Sequence, residues 1–143
     1  QHMYNILIIS HGNIADSYLN TAEMIMGKIE NVKAIGIEPG EEISAYGDKV
    51  FNMAEEIYTE DGILILADLY GGTPCNISIS RILNHFEKIY IIAGFNFLLL
   101  LEALNRRTDN LKDSIQNLIN AGVNGITDVN AIVKNNKIKN EDE

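Results

Sequence analysis

A chain of 143 residues, 46% of them hydrophobic, has the size and apolar content of one ordinary domain with one core. Its formal net charge of −9 repels phosphate backbones, which sets nucleic acid aside as a partner and steers basic proteins toward it. The longest apolar run, Phe97 to Leu101, is far too short to span a bilayer, and Cys75, the single cysteine, excludes an intrachain disulfide.

The N-terminus carries no basic flank and no cleavage site, so no secretory signal is visible. With one cysteine, this fits a reducing, cytoplasmic setting. Gln1 and His2 precede Met3 and read as a cloning remnant outside the protein's own sequence.

Along the chain, short β-rich runs alternate with amphipathic helical runs. Tyr4 to Ser10 contains Ile6, Leu7, Ile8 and Ile9 in succession, the pattern of a strand buried on both faces. From Ile14 to Met26 the period becomes helical. Ile14, Tyr18, Ala22 and Ile25 share one face, with Ala15, Leu19 and Met26 beside them and Gly27 as a stop. Val32 to Ile37 is a second strand, ended by Glu38-Pro39-Gly40. Ile43, Tyr46, Val50, Ala54 and Ile57 mark a second helix, which Gly47 weakens slightly.

Ile63 to Ala67 is a third strand, running directly into Asp68-Leu69-Tyr70-Gly71-Gly72-Thr73-Pro74. A third helix is expected from there to about Phe86, with Cys75, Ile79, Ile82, Leu83 and Phe86 inward. Ile89 to Ala93 is a fourth strand, Phe97 to Arg107 a strongly apolar helix, and Leu111, Ile115, Leu118 and Ile119 another that ends at Gly122. Gly125 to Val133 reads as a possible extra C-terminal edge strand. Residues 134–143 read as a polar tail or the start of a linker, which leaves residues 3–133 as the domain.

Four apolar strands separated by helices imply an α/β fold with a parallel sheet covered on both faces. Right-handed crossovers make it an open doubly wound sheet. In strand order 2-1-3-4 the topological switch point lies between strands one and three, and ligands bind outside the carboxyl ends there. His11 and Asp68 end those two strands.

A histidine in that position can be a nucleophile, a base or a metal ligand, or can simply cap a strand through a backbone hydrogen bond. A carboxylate across the cleft that accepts the Nδ1 proton would leave the Nε2 lone pair free, and would steady positive charge developing on the ring. Alternatively, Asp68 only caps its own turn. Gly71 and Gly72 allow backbone to approach a ligand closely. Thr73 then reads as a helix N-cap, with Pro74 as the first helical residue, and the amides there form an anion cradle. Together these are the parts of a phosphoryl-transfer site. Cys75 reads as packing. His85, Arg106 and Arg107 read as helix-end residues, with the two arginines also candidates to flank the site and touch a partner. No His/Cys grouping has metal-ligand spacing, and no Walker or dinucleotide pattern follows the first strand, so neither a metal nor a cofactor is expected.

Ile9-Ser10-His11-Gly12, Thr21-Ala22-Glu23-Met24, Asp68 to Pro74 and Ala93-Gly94-Phe95-Asn96 together resemble the EIIA domain of the mannose family of the sugar phosphotransferase system (PTS). The likeness runs to about Val133. It implies a phosphotransferase in which His11 is phosphorylated on Nε2 and Asp68 orients it, with Thr73 and nearby amides holding the phosphoryl oxygens. The donor would be the phosphohistidine carrier HPr. The acceptor would be an EIIB domain that feeds a membrane permease for sugar uptake. Relatives of this kind are typically homodimers in which a C-terminal strand crosses between subunits. Many follow the Gly-x-Asn turn with Pro-Met, where this chain has Phe97-Leu98-Leu99.

Other functions fit less well. A histidine phosphatase needs an arginine immediately before such a histidine, and position 10 is serine. A receiver domain needs a carboxylate pair after the first strand, and Ser10-His11 supplies none. A tetrapyrrole chelatase wants further metal-binding side chains. The phosphocarrier subunit of a dihydroxyacetone kinase and a non-catalytic flavin or nucleotide module are the remaining alternatives.

Overall fold

The computed structural model describes residues 2–141. Ile6–Ile9 and Ile63–Ala67 are apolar at every position because both faces of their strands are covered, and each of these side chains is buried. They lie in β1 (Asn5–His11) and β3 (Ile63–Ala67), flanked by β2 (Val32–Ile37) and β4 (Ile89–Ala93). All neighbours are parallel and the order is β2-β1-β3-β4, as the alternating pattern implies. His11 stands opposite Ile37 at the end of one ladder, and Ala67 stands opposite Ile9 and Ala93.

Each face of the sheet has its own core. Even-numbered β1 residues Ile6 and Ile8 pack with Ala15, Ala22, Leu99, Leu100 and Leu118, from α1 (Ile14–Met26), α4 (Phe97–Asn105) and α5 (Leu111–Asn124). Odd-numbered Leu7 and Ile9 pack with Tyr46, Val50, Ala54, Cys75 and Ile77, from α2 (Ile43–Ile57) and α3 (Thr73–Arg81). Tyr4 and Tyr46 are fully enclosed, and burial pushes both phenols far above their ordinary pKa. Their hydroxyls instead donate to the carbonyls of Ala103 and Ile35.

The helical faces differ from the periodicity reading. Ile14, Ile25 and Met26 of α1 are exposed, and the inward residues are Ala15, Tyr18, Leu19 and Ala22. Small residues bring α1 close to the sheet, which turns the bulkier ones toward solvent. Ile43 is exposed at the start of α2. Gly47, counted against that helix, is buried beneath the Arg81 guanidinium, where a Cβ would come within 2.9 Å of it. The third helix stops at Arg81 rather than Phe86, so Ile79 and Leu83 are exposed while Ile77 and Ile82 are buried. α4 ends at Asn105, short of Arg107. α5 runs through Gly122, which packs against Leu99, and is capped at Gly125.

The strand expected over residues 125–133 is not formed. Residues 129–141 are instead helix α6 (Val129–Glu141), so the described part of the expected polar tail is helical; Gln1, Asp142 and Glu143 lie outside the described residues. Asp128 is the physical reason: its carboxylate accepts from the Ala131 amide at 3.0 Å and its carbonyl from Ile132 at 3.3 Å. That cap starts a helix whose backbone satisfies itself, whereas β-branched Ile126, Val129, Ile132 and Val133 would need a sheet edge to pair with.

Candidate functional site

The first strand is turned sharply at its end. Gly12 takes a left-handed conformation (φ 56°), and its amide donates to Ile37 O at 2.8 Å. The turn fits because β2 carries Gly36 beneath it, where a Cβ would overlap the Gly12 carbonyl. Ser10, fully buried, locks the turn to the next helix: its Oγ accepts from Ala15 N at 2.8 Å and donates to Gly12 O at 3.4 Å. It does the capping that Asn13, at the N-cap position of α1, does not. His11 is therefore carried on a rigid corner.

Asp68 follows β3 and reaches His11 across the switch point. Its Oδ2 lies 2.8 Å from His11 Nδ1 and accepts from the His11 amide at 3.0 Å, while Oδ1 accepts from the Leu69 amide at 3.0 Å. The carboxylate is nearly enclosed, at 8% side-chain exposure, and the imidazole is open at 47%. An ionised carboxylate only accepts, so the nitrogen facing it carries the proton and Nε2 keeps its lone pair. Topology alone brings these two residues to one cleft in the sequence reading; the structure adds the direct contact between them, with Nε2 turned away from the carboxylate.

The start of α3 closes the other side of the ring. Gly71 takes φ 84°, Gly72 is the N-cap, and the first helical bond runs from Asn76 N to Gly72 O at 2.9 Å. Thr73 is thus the first helical residue rather than the cap, and Pro74 the second; the glycine pair already turns the chain and no side chain caps this helix. A Cβ on Gly72 would stand 2.6 Å from His11 Cε1 and 3.3 Å from Nε2, so this backbone abuts the Nε2 edge. The amides of Thr73 and Cys75 have no carbonyl one turn back to bond, and the helix dipole adds partial positive charge there. An anion held at this helix start would lie beside the His11 ring.

The remaining candidates lie elsewhere. Arg107 is buried at the opposite end of the sheet, donating to the carbonyls of Tyr4 and Glu30 and to Asn5 Oδ1. At about 3.3 Å per residue along β1, that is roughly 20 Å from His11. Burial lowers its pKa, and three neutral acceptors hold the charge in place. Arg106 is paired with Glu102 and Asp109 at the same end. Neither arginine flanks the site. His85 lies past the end of α3 with its ring edge-on to Phe51 and Phe86, and Cys75 is core packing. Among the described residues, no three of His, Cys, Asp and Glu cluster closely enough to hold a metal ion.

Ser10 and Gly36 escaped the sequence reading. Ser10 sits inside the strand pattern, five residues before the amide it caps, and Gly36 matters only through a contact 24 positions away. An apolar groove of about 450 Å³ beside the site was also not anticipated. It is lined by Asn13, Ile14, Ser17, Tyr18, Thr21 and Phe97, and Tyr18 stacks on Phe97 with ring centres 5.9 Å apart.

Residues 5–121 match the EIIA-man family, described as PTS system fructose IIA component. The chain is 39% identical over 104 residues to the mannose-specific EIIAB component of Escherichia coli (strain K12), a match covering 73% of this chain and 32% of that protein. It therefore spans about a third of the length of the mannose-specific relatives it matches. It is 32% identical over 117 residues to the fructose-specific EIIA component of Bacillus subtilis (strain 168), covering 81% of this chain and 80% of that protein. Among solved structures it resembles the phosphotransferase system component EIIA from Streptococcus agalactiae, with a TM-score of 0.79, 31% identity, and coverage of 90% of this chain and 99% of that one. None of these similarities favours a kinase subunit or a flavin module.

Proposed function

This chain belongs to the EIIA-man family of PTS phosphotransfer components, and on that premise we propose that it takes a phosphoryl group from phospho-HPr onto His11 and passes it to an EIIB domain. The observation that carries this reading is the 2.8 Å contact between His11 Nδ1 and Asp68 Oδ2, which leaves Nε2 as the free nucleophile beside the start of α3.

In the proposed step, the Nε2 lone pair forms the new bond to phosphorus while the phosphorus–nitrogen bond of the donor breaks. The donor ring leaves with that electron pair. The proton on His11 Nδ1 stays in place, and Asp68 stabilises the positive charge that the ring acquires. The amides around Gly71, Gly72 and Thr73 receive the equatorial oxygens. Transfer onward is the same displacement in reverse, with the EIIB nucleophile attacking phosphorus and His11 leaving. No cofactor or metal enters the scheme. The step belongs to the cytoplasmic side of a sugar-uptake pathway whose permease this domain serves only indirectly. No helix among the described residues is long and apolar enough to cross a membrane. Residues 3–133 form the phosphocarrier unit in this reading.

Incubation with phosphoenolpyruvate, enzyme I and HPr tests it. The expected product is acid-labile, alkali-stable phosphate on the peptide containing His11, because a phosphoramidate hydrolyses once its nitrogen is protonated. Label on any other peptide would refute the assignment.

The working unit in this reading is a homodimer. β4 is an edge strand, and beside it lies an apolar groove lined by Ile91, Ala93, Ile119, Val123 and Ile126. Ile126, Val129, Ile132 and Val133 are all exposed. A second copy would cover both surfaces. Light scattering at micromolar concentration should give twice the 15.9 kDa chain mass, and a single species of 15.9 kDa would overturn the dimer.

A further inference from the structure

Past Ile9 the first strand loses its neighbour on one side. Its ladder with β3 ends where Ile9 stands opposite Ala67, and only β2 continues alongside, with Gly36 opposite Ser10 and Ile37 opposite His11. β2 is itself an edge strand, so its outer side has no ladder partner. At the level of Ser10 it carries a glycine, which has no side chain to pack it onto the helices beneath. The backbone that carries His11 is thus the least supported end of the sheet.

Tyr46 of α2 meets this weak point. Its side chain is fully enclosed on the face of the sheet that holds Leu7 and Ile9. Its hydroxyl donates to Ile35 O at 2.9 Å, and the Ser10 backbone lies against the same oxygen. Ile35 precedes Gly36 and Ser10 precedes His11, so one hydroxyl meets both strands one residue before the corner. A phenol buried this completely needs its hydrogen bond, a demand that phenylalanine in the same space would not make. The turn of helix that carries Tyr46 is fixed as well. Gly47 lies under the Arg81 guanidinium, which donates to Asp48 Oδ1 at 2.7 Å and to Ser44 O at 3.3 Å. Arg81 ends α3, the helix whose start abuts the Nε2 edge of His11. One turn of α2 therefore touches the supports of both walls of the site.

We propose that Tyr46 is a positioning residue for phosphoryl transfer: its hydroxyl holds β1 to β2 at Ser10 and Ile35, and so fixes the His11 corner relative to the start of α3. It touches neither the imidazole nor the phosphoryl group and acts through backbone alone. The role rests on the phosphocarrier reading of His11. A displacement of about 1 Å at a reacting atom costs about a hundredfold in rate, so partial loosening of this corner should cost about tenfold.

Tyr46→Phe measured beside Tyr4→Phe tests it. Tyr4 is a matched control: it is equally enclosed and its hydroxyl donates to a backbone carbonyl, Ala103 O at 2.7 Å, but it stands just before β1, at the other end of the sheet. Each variant keeps its ring and loses one buried bond, so the two melting temperatures should fall by similar amounts. In single-turnover transfer from phospho-HPr, Tyr46→Phe should lower the limiting rate per folded molecule about tenfold and leave the half-saturating donor concentration within about twofold. Tyr4→Phe should leave both at parental values. Amide exchange gives a second readout. The Gly12 amide, bonded to Ile37 O, should exchange about tenfold faster in Tyr46→Phe and at the parental rate in Tyr4→Phe. In the parent it should exchange at least about a hundredfold more slowly than the amide of exposed Gly40. An undiminished limiting rate in Tyr46→Phe, equal rate losses in the two variants, or a loss confined to the half-saturating concentration would overturn the positioning role. A parental Gly12 amide as fast as that of Gly40 would overturn it even if Tyr46→Phe did not fold. Parent protein that takes no label on His11 would overturn the phosphocarrier reading and this role with it, whereas the other outcomes leave that reading standing.

Discussion

Asp68→Asn is expected to slow transfer from phospho-HPr by roughly ten- to a thousandfold while the fold persists. The carboxylate makes three bonds: to His11 Nδ1 and the His11 amide through Oδ2, and to the Leu69 amide through Oδ1. An asparagine has one acceptor oxygen. Facing Leu69, it turns its NH₂ toward two donors on His11, which drives the imidazole to the tautomer protonated on Nε2 and removes the nucleophile. Facing His11, it keeps the useful tautomer but lacks the charge that stabilises the developing imidazolium, and it leaves the Leu69 amide without its partner.

Either orientation strands one backbone donor, at a cost of about 1–2 kcal/mol. For a domain of this size that is a fall in melting temperature of roughly 2–8 °C. Single-turnover transfer measured beside a thermal melt separates the two effects. Wild-type transfer in the variant would reduce Asp68 to a turn residue. A collapsed melting temperature with a normal rate per folded molecule would make its role structural.

The parts of this architecture visible in the sequence are those where burial leaves no choice of side chain. A parallel strand covered on both faces must be apolar throughout, so Ile6–Ile9 and Ile63–Ala67 announce themselves, and the crossover rule then orders them. His11 and Asp68 were legible for the same reason: they are the first polar residues with chemistry past those runs. Helix faces were less legible. Periodicity gives the spacing of apolar residues but not which of two adjacent stripes docks, and α1 docks on its alanines while Ile14 and Ile25 face solvent. Arg107 shows another limit. Its hydrogen bonds reach residues 77 to 103 positions away, a closure that no local pattern encodes. At the C-terminus, β-branched composition competed with one aspartate cap, and the cap prevailed.

The glycine pair before α3 carries more than turn chemistry, and Gly72→Ala isolates what it carries. The backbone at Gly72 (φ −80°, ψ 169°) is open to any L-residue, so alanine brings no conformational strain. What it brings is a methyl 2.6 Å from His11 Cε1 and 3.0 Å from Leu69 Cδ1. The second of these contacts is with the far end of an exposed side chain and relaxes at little cost. The first cannot relax while the imidazole remains bonded to Asp68, because the corner at Gly12 is fixed by Ser10 and Ile37. The ring, being half exposed, must swing outward. It then loses the Nδ1 bond to Asp68, the tautomer that bond enforces, and the alignment of Nε2 with the amides of α3. A displacement of about 1 Å at a reacting atom is enough to cost about a hundredfold, and the lost electrostatic partner adds to it. Transfer from phospho-HPr should therefore fall by at least about a hundredfold, with stability within about 1 kcal/mol of wild type, since the Asp68 carboxylate keeps the His11 and Leu69 amides as partners. Proton NMR of the imidazole supplies the decisive readout: the Nδ1–H resonance expected in the parent should vanish in the variant. Retention of that resonance together with undiminished transfer would show that the close approach of Gly72 is incidental to the chemistry.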